Sequence, residues 1–284
     1  MSYPHVWLLN LQNPKLVTAN YEWWRIRGGL TDGEIENAAR ISNENVRRTY
    51  LGARLLTRQV LAEYLERPPE NLVFKIGPYG KPSLIDNHGM EFNLSHSAEI
   101  VACVIAPEQI GLDIEFLDRR IDYIKILKGN FSERESEFVL SGGGQSKERF
   151  FQIWTLKEAC FKRLGTGLSV SLMSAEFYHE YARKDNMEPV HFGVDAERLS
   201  SQIVGRTSDA LGELEATEKY WKKAGKQRSE YFKFEGGRPS SDIIAMIDGK
   251  FAGWCSTLQP FDGYVMSICS LTKFTLPTCY WFLP

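Results

Sequence analysis

The sequence is poor in the residues that usually announce cross-links and metal cages. Only five cysteines and five histidines occur in 284 residues. Cys103, Cys160, Cys255, Cys269 and Cys279 are odd in number and form no CxxC pair or shared spacing with histidine, which argues against a disulfide framework and a zinc site. Five buried thiols in a reducing compartment are expected instead. An excess of charge of one sign is also missing: the formal net charge is −2. That removes any global attraction to nucleic acid or an anionic membrane, so an anionic ligand must be met by a local basic cluster. No apolar run is long enough to span a bilayer, and "MSYPHVWLLNLQNP" has no basic start of the kind a secretory signal carries. A cytoplasmic monomer, binding neither nucleic acid nor membrane, is expected.

What is present is an ordinary globular composition, 43% hydrophobic and 25% charged, arranged as alternating helix and strand signals. From Asn43 to Glu66, apolar residues recur at helical spacing until "RPPEN" stops the pattern, and this helix carries Arg47, Arg48, Arg54 and Arg58. Strand signals follow in "LVFKI", "MEFNLSHS" and "IVACVIA", with "GPYGKP" as a turn. "IGLDIEF" then places Ile110, Leu112, Ile114 and Phe116 on one face and Gly111, Asp113 and Glu115 on the other. Two carboxylates side by side repel unless something positive lies between them or they stand open to water. A tight "PEQ" turn joins this strand to the one before it, Ser132 and Glu135 form a capping box, and "SGGGQSK" reads as a mobile loop. The loop's glycines follow a helix and lack the spacing of a phosphate cradle.

The next helix, "ERFFQIWTLKEACFKRLG", has a broad apolar face and a glycine stop at Gly165. Glu158 and Lys162 flank that face four residues apart, in the order that favours an ion pair; in isolation they would be a surface pair worth about a few tenths of a kcal/mol. Lys157 falls within the apolar face, where an ammonium must meet an anion or snorkel out.

Four segments, "YGKP" (Tyr79 to Pro82), "FNLSHS" (Phe92 to Ser97), "GLDIE" (Gly111 to Glu115) and "WTLKEACFK" (Trp154 to Lys162), occur in the order and approximate spacing seen in 4′-phosphopantetheinyl transferases of the surfactin-synthetase-activating type. The agreement covers roughly residues 45 to 175, and the chain resembles that family on agreement across all four segments. The resemblance implies an α/β (α+β) fold built as a pseudo-twofold pair of similar halves, residues 1–108 and 109–284. It also implies transfer of the phosphopantetheine arm of coenzyme A to a serine of an apo acyl or peptidyl carrier protein, releasing 3′,5′-ADP. Asp113, Glu115 and Glu158 would hold Mg2+ or Mn2+, hard ions that take oxygen ligands. Glu158 would also be placed to accept the serine proton, and Lys162 to stabilise pyrophosphate charge. Lys81, Ser95 and His96 would contact the coenzyme A phosphates, helped by Arg48, with Arg47 and Arg54 as alternatives, and Lys157 would reach the cofactor. Tyr79 and Pro82 would fix the turn.

The chain departs from the family pattern at about residues 183–240, an insertion whose Lys219, Lys222, Lys223, Lys226 and Arg228 read as a solvated face or as a docking patch for an acidic carrier. Two other readings fit the sequence less well. A magnesium-dependent phosphodiesterase would leave "YGKP" and "FNLSHS" unexplained, and a non-catalytic binding module would have no need of Asp113, Glu115, Glu158 and Lys162 together.

Overall fold

The structure is a computed structural model that describes residues 4–86, 88–167, 170–179, 230–234, 240–274 and 277–284. The insertion's basic group, Lys219 to Arg228, lies outside the described residues, as does most of 183–240. In chain order the elements are β1 (His5–Asn10), α1 (Pro14–Val17), α2 (Tyr21–Gly28), α3 (Asp32–Ala39), α4 (Glu44–Leu65), β2 (Phe74–Ile76), β3 (Pro82–Leu84), β4 (Glu91–Ser97), β5 (Ile100–Ala106) and β6 (Ile110–Phe116). There follow α5 (Tyr123–Leu127), α6 (Glu133–Leu140), α7 (Ser146–Leu164), β7 (Ala175–His179), β8 (Glu230–Phe234), β9 (Ser240–Ile247), β10 (Lys250–Leu258), β11 (Tyr264–Ser270) and β12 (Thr278–Leu283).

Two five-stranded sheets dominate, with strand orders β4-β5-β1-β12-β8 and β6-β11-β10-β9-β7. Each is backed by one long amphipathic helix, α4 on the first and α7 on the second, and this repetition is the expected pseudo-twofold α/β (α+β) pattern. Between the sheets lies a third apolar layer in which Val6, Leu8 and Val104 meet Leu112, Ile114 and Met266. No described helix is long and apolar enough to cross a membrane.

Local chemistry sets the helix ends. Asn43 caps α4 by accepting from the Val46 amide at 3.1 Å, and the helix ends at Glu66 with φ 53°, just before Pro68 and Pro69. Ser132 and Glu135 form the expected capping box of α6, and Gly165 closes α7 with φ 69°. Gly52 brings α4 against Leu11, while Tyr64 bonds the His5 ring, so α4 runs antiparallel to β1 and its first turns stand beyond the end of the sheet where β4 finishes.

Three connections add to the sequence reading, and the "PEQ" turn lies where it was expected. "SGGGQSK" contains a short 3-10 turn, Gly143–Gln145, that runs into α7, with Gly142 packed on Arg149. Strands β5 and β6 follow one another through the 107–109 turn but do not pair: β5 lies between β4 and β1, and β6 pairs with β11. Strands β8 and β12, although within 109–284, complete the first sheet, β12 running parallel to β1. A linear division of the chain at residue 108 therefore does not divide the sheets.

Candidate active site

The two sheets meet where edge strand β4 faces edge strand β6. An edge strand leaves a row of N–H groups without partners, and here β4 side chains supply the acceptors. Asn93 Oδ1 accepts from Leu112 N at 3.0 Å, Ser95 Oγ from Ile114 N at 3.3 Å and Ser97 Oγ from Phe116 N at 3.0 Å. The same hydroxyls donate onward: Ser95 to Asp113 Oδ1 at 2.8 Å, Ser97 to Glu115 Oε2 at 2.7 Å. Alternation of side chains in both strands thus fixes two buried carboxylates through two serines.

Helix α7 crosses the same face of β6 at very short range. A Cβ on Gly111 would lie 1.9 Å from the Ala159 carbonyl oxygen, so only glycine lets helix and strand approach this closely. That approach brings Glu158 and Lys162, on either side of the contact, to Asp113 and Glu115. Lys162 does not pair with Glu158 as its spacing had suggested. Its ammonium donates to Asp113 Oδ1 at 2.6 Å and to Ser95 Oγ at 3.0 Å, because a buried carboxylate offers a stronger partner than one in the helix.

The electrostatics follow from this crowding. Burial, then repulsion from Asp113, raises the Glu158 carboxyl above its ordinary value, with Lys162 opposing and Glu115 adding to the rise. Burial and Asp113 likewise raise Glu115, against its bonds to Ser97 and Arg119. His96, on the next position of β4, is held low by desolvation and then by Lys162. Asp113, Glu115, Glu158, Lys162, Ser95 and His96 therefore share one site.

The remaining expected residues divide. Lys81 donates to the Ile110 carbonyl at 3.3 Å and the Arg163 carbonyl at 3.1 Å, tying its turn to the start of β6 and the end of α7, and burial lowers its pKa. Tyr79 in the same turn packs near Gly167. Arg48 forms an i,i+4 pair with Glu44 at 2.7 Å, whose side chain is 68% exposed. Arg47 instead donates to the Ile41 carbonyl, and Arg54 lies over the Tyr50 ring and 3.8 Å from Glu34. Lys157 is a correction. It is 0% exposed, pairs with Glu135 at 2.9 Å, and donates to the carbonyls of Leu172 and Ala175, each at 2.8 Å. Its three N–H donors are all used in the core, so it joins α6, α7 and the start of β7 rather than reaching a cofactor.

Sequence reasoning missed Arg119, which bonds both oxygens of Glu115, and the roles of Asn93 and Ser97. The period-two spacing of Asn93, Ser95 and Ser97 carried a signal for the latter; Arg119 follows the strand without any periodicity.

Among the described residues no three carboxylate, imidazole or thiol groups form a ready metal cage. Cations and hydroxyls already occupy Asp113 Oδ1 and both Glu115 oxygens. Yet Asp113 Oδ2 is buried without a partner, and Glu158 is repelled by both neighbours. Orphaned oxygen donors with surplus negative charge fit a hard divalent cation.

The match to known sequences agrees with the residues gathered here. The sequence model of the 4′-phosphopantetheinyl transferase N-terminal region matches residues 18–109, and that of the 4′-phosphopantetheinyl transferase superfamily matches 109–204. The 4′-phosphopantetheinyl transferase HetI of Nostoc sp. is 31% identical over 182 residues, covering 58% of this chain and 77% of HetI. The chain belongs to the 4′-phosphopantetheinyl transferase superfamily. Among other members of the family, gsp of Aneurinibacillus migulanus is 38% identical over 45% of this chain and 52% of its own length. Sfp of Bacillus subtilis is 33% identical over 46% of this chain and 58% of its own. The two family matches meet at residue 109, at the turn between β5 and β6, so the site of this transferase-family member is assembled from both matched regions.

Proposed function

We propose that this chain transfers the 4′-phosphopantetheine arm of coenzyme A to a serine hydroxyl of an apo acyl or peptidyl carrier protein. The serine oxygen forms a bond to the phosphorus bearing the pantetheine arm, the bond from that phosphorus to the bridging oxygen breaks, and 3′,5′-ADP leaves. The observation that carries this reading is the convergence of Asp113 and Glu115 on β6 with Glu158 and Lys162 on α7, made possible by Gly111.

Asp113, Glu115 and Glu158 would hold Mg2+, with Mn2+ as a substitute. Bound there, the ion would neutralise phosphate charge, the main requirement of phosphoryl transfer. Glu158 is the base: both Glu115 oxygens and Asp113 Oδ1 are already bonded to hydroxyls or cations, whereas Glu158 has no bonded cation among the described residues and can accept the serine proton, directly or through a water. Lys162 and Ser95, bonded to Asp113, and His96, within reach of the Lys162 charge, would meet the phosphates of coenzyme A. Lys81 commits two donors to carbonyls and retains a third N–H for a coenzyme A phosphate. Arg48 is the favoured arginine of α4, because its exposed Glu44 partner is readily exchanged for a phosphate and because it stands at the end of the sheet where His96 lies. The protein acts as a monomer in the cytoplasm, a compartment that suits five free, buried thiols.

The test is the intact mass of purified apo carrier proteins after incubation with the chain, coenzyme A and Mg2+. A gain of one phosphopantetheine arm on the carrier, absent when the metal is chelated, is the expected result. No gain on acyl or peptidyl carriers, with coenzyme A hydrolysed instead, would mark a phosphodiesterase.

A further inference from the structure

One cation at the site has no part in the reaction as derived above. Arg119 Nη1 donates to Glu115 Oε1 at 2.9 Å and to Oε2 at 3.1 Å. The two side chains differ in burial: Arg119 is 55% exposed and Glu115 9%. A structural Arg–carboxylate bridge normally engages two guanidinium nitrogens in parallel, fork to fork. Here a single nitrogen serves both oxygens, and Nε and Nη2 have no acceptor among the described residues. Glu115 is meanwhile oriented from β4 by Ser97, so it does not need the arginine for its position.

Glu115 and Asp113 each meet one β4 serine and one cation, with a difference. Ser95 and Lys162 share Asp113 Oδ1 and leave Oδ2 open, whereas Ser97 and Arg119 between them take both oxygens of Glu115, so a divalent cation held by Glu115 would have to displace the arginine. Lys162, the cation on Asp113, is assigned to substrate phosphate. Arg119 stands at the solvent-facing side of the same pair of carboxylates, near enough for its charge to act on His96.

We propose that Arg119 is a phosphate-binding residue of this site, resting on Glu115 while that carboxylate lacks a divalent cation and turning to the phosphates of coenzyme A once Glu115 is taken by the metal. This rests on the transferase reading. A guanidinium with an unused fork is suited to phosphate, and its exposure lets it rotate without disturbing the core. The bland alternative is an ordinary half-exposed salt bridge, which contributes little and has no reason to depend on a ligand.

The two roles predict opposite effects of one substitution on two ligands. Mn2+ binding to the full chain would be followed by electron paramagnetic resonance, and coenzyme A binding by titration calorimetry with and without Mn2+. In Arg119→Gln the competitor for Glu115 is gone, so Mn2+ should bind about two- to fivefold more tightly, the size of an exposed ion pair. Coenzyme A should bind about tenfold more weakly with Mn2+ present and almost unchanged without it, the loss expected for a charged phosphate contact. Arg119→Lys, which keeps the charge, should recover part of the coenzyme A affinity. Equal weakening of coenzyme A with and without Mn2+ would overturn the exchange, and unchanged coenzyme A affinity in Mn2+ would reduce Arg119 to a surface bridge. A wild-type chain that bound neither Mn2+ nor coenzyme A would overturn the transferase reading and this inference together; wild-type binding of both with an unaltered Arg119→Gln overturns this inference alone.

Discussion

At the scale of single residues, the site is governed by three carboxylates sharing two cations. Glu158 has no cation bonded to it among the described residues, and burial, then repulsion from Asp113, raises its pKa against the opposing charge of Lys162. A carboxyl of this kind is a stronger base and a less comfortable neighbour, so removing its charge should affect activity and stability in opposite directions. Glu158→Gln keeps the shape and one carbonyl oxygen but cannot take a proton. Turnover should fall by about 10²–10⁴, the usual worth of a positioned base, while coenzyme A affinity changes far less. Saturating Mg2+ should not restore the rate, and the thermal midpoint of the metal-free variant should rise at neutral pH because one repelling charge is gone. Full recovery in high Mg2+ would leave Glu158 a ligand and not a base. Lys162→Ala supplies the contrast: turnover should fall, and the thermal midpoint should fall too, since Asp113 is left buried with its cation removed.

Elements bring these residues together, and here the sequence was informative to different degrees. Helices α4 and α7 could be read because apolar residues recur every three or four positions and because Asn43, the paired prolines and Gly165 mark their ends. Strand β6 could be read from its alternation, which also placed Asp113 and Glu115 on one face. The joining of β4 to β6 was only half legible: the period-two spacing of Asn93, Ser95 and Ser97 marks a polar face on β4, but nothing local says which strand's N–H groups that face meets. The place of β12 beside β1 could not be read, a pairing between the two ends of the described chain that no local signal records. The core role of Lys157 is illegible for a related reason: its partners Glu135, Leu172 and Ala175 lie outside α7 and meet it only through tertiary packing. Lys157→Met should therefore destabilise by about 3 kcal/mol in urea unfolding, as breaking a buried pair does, and leave coenzyme A affinity unchanged under native conditions. Gly111 tests the contact itself. In Gly111→Ala the new methyl would meet backbone on α7, at Ala159 O and Arg163 N, and neither can move independently of its helix. A loss of at least about 1–3 kcal/mol is expected, together with lost transfer, because α7 must retreat from β6 and carry Glu158 with it.

For the whole molecule, the carboxylate cluster makes stability, pH and metal interdependent. Glu115 and Glu158 both have folded-state pKa values above their ordinary ones. Between the ordinary carboxylate value and the raised one, the folded chain holds more protons than the unfolded chain, so stability falls as pH rises through that window. The stability these groups contribute is complete below the ordinary value and is lost once both are ionised. A divalent cation held by these carboxylates would act in the reverse sense. It would require them ionised, cancel their repulsion, and stabilise the folded chain by an amount set by its concentration relative to its dissociation constant. The thermal midpoint of the metal-free chain should therefore decline across the window, while that of the chain in millimolar Mg2+ should stay level or rise. The gap between the two curves should widen with pH and then become constant when both carboxyls are ionised. In Glu158→Gln the metal-free decline should be shallower, since one of the two titrating groups is gone. A Mg2+ increment that is the same at every pH would mean that the ion binds elsewhere, and would separate Asp113, Glu115 and Glu158 from the metal even if the transfer reaction itself were observed.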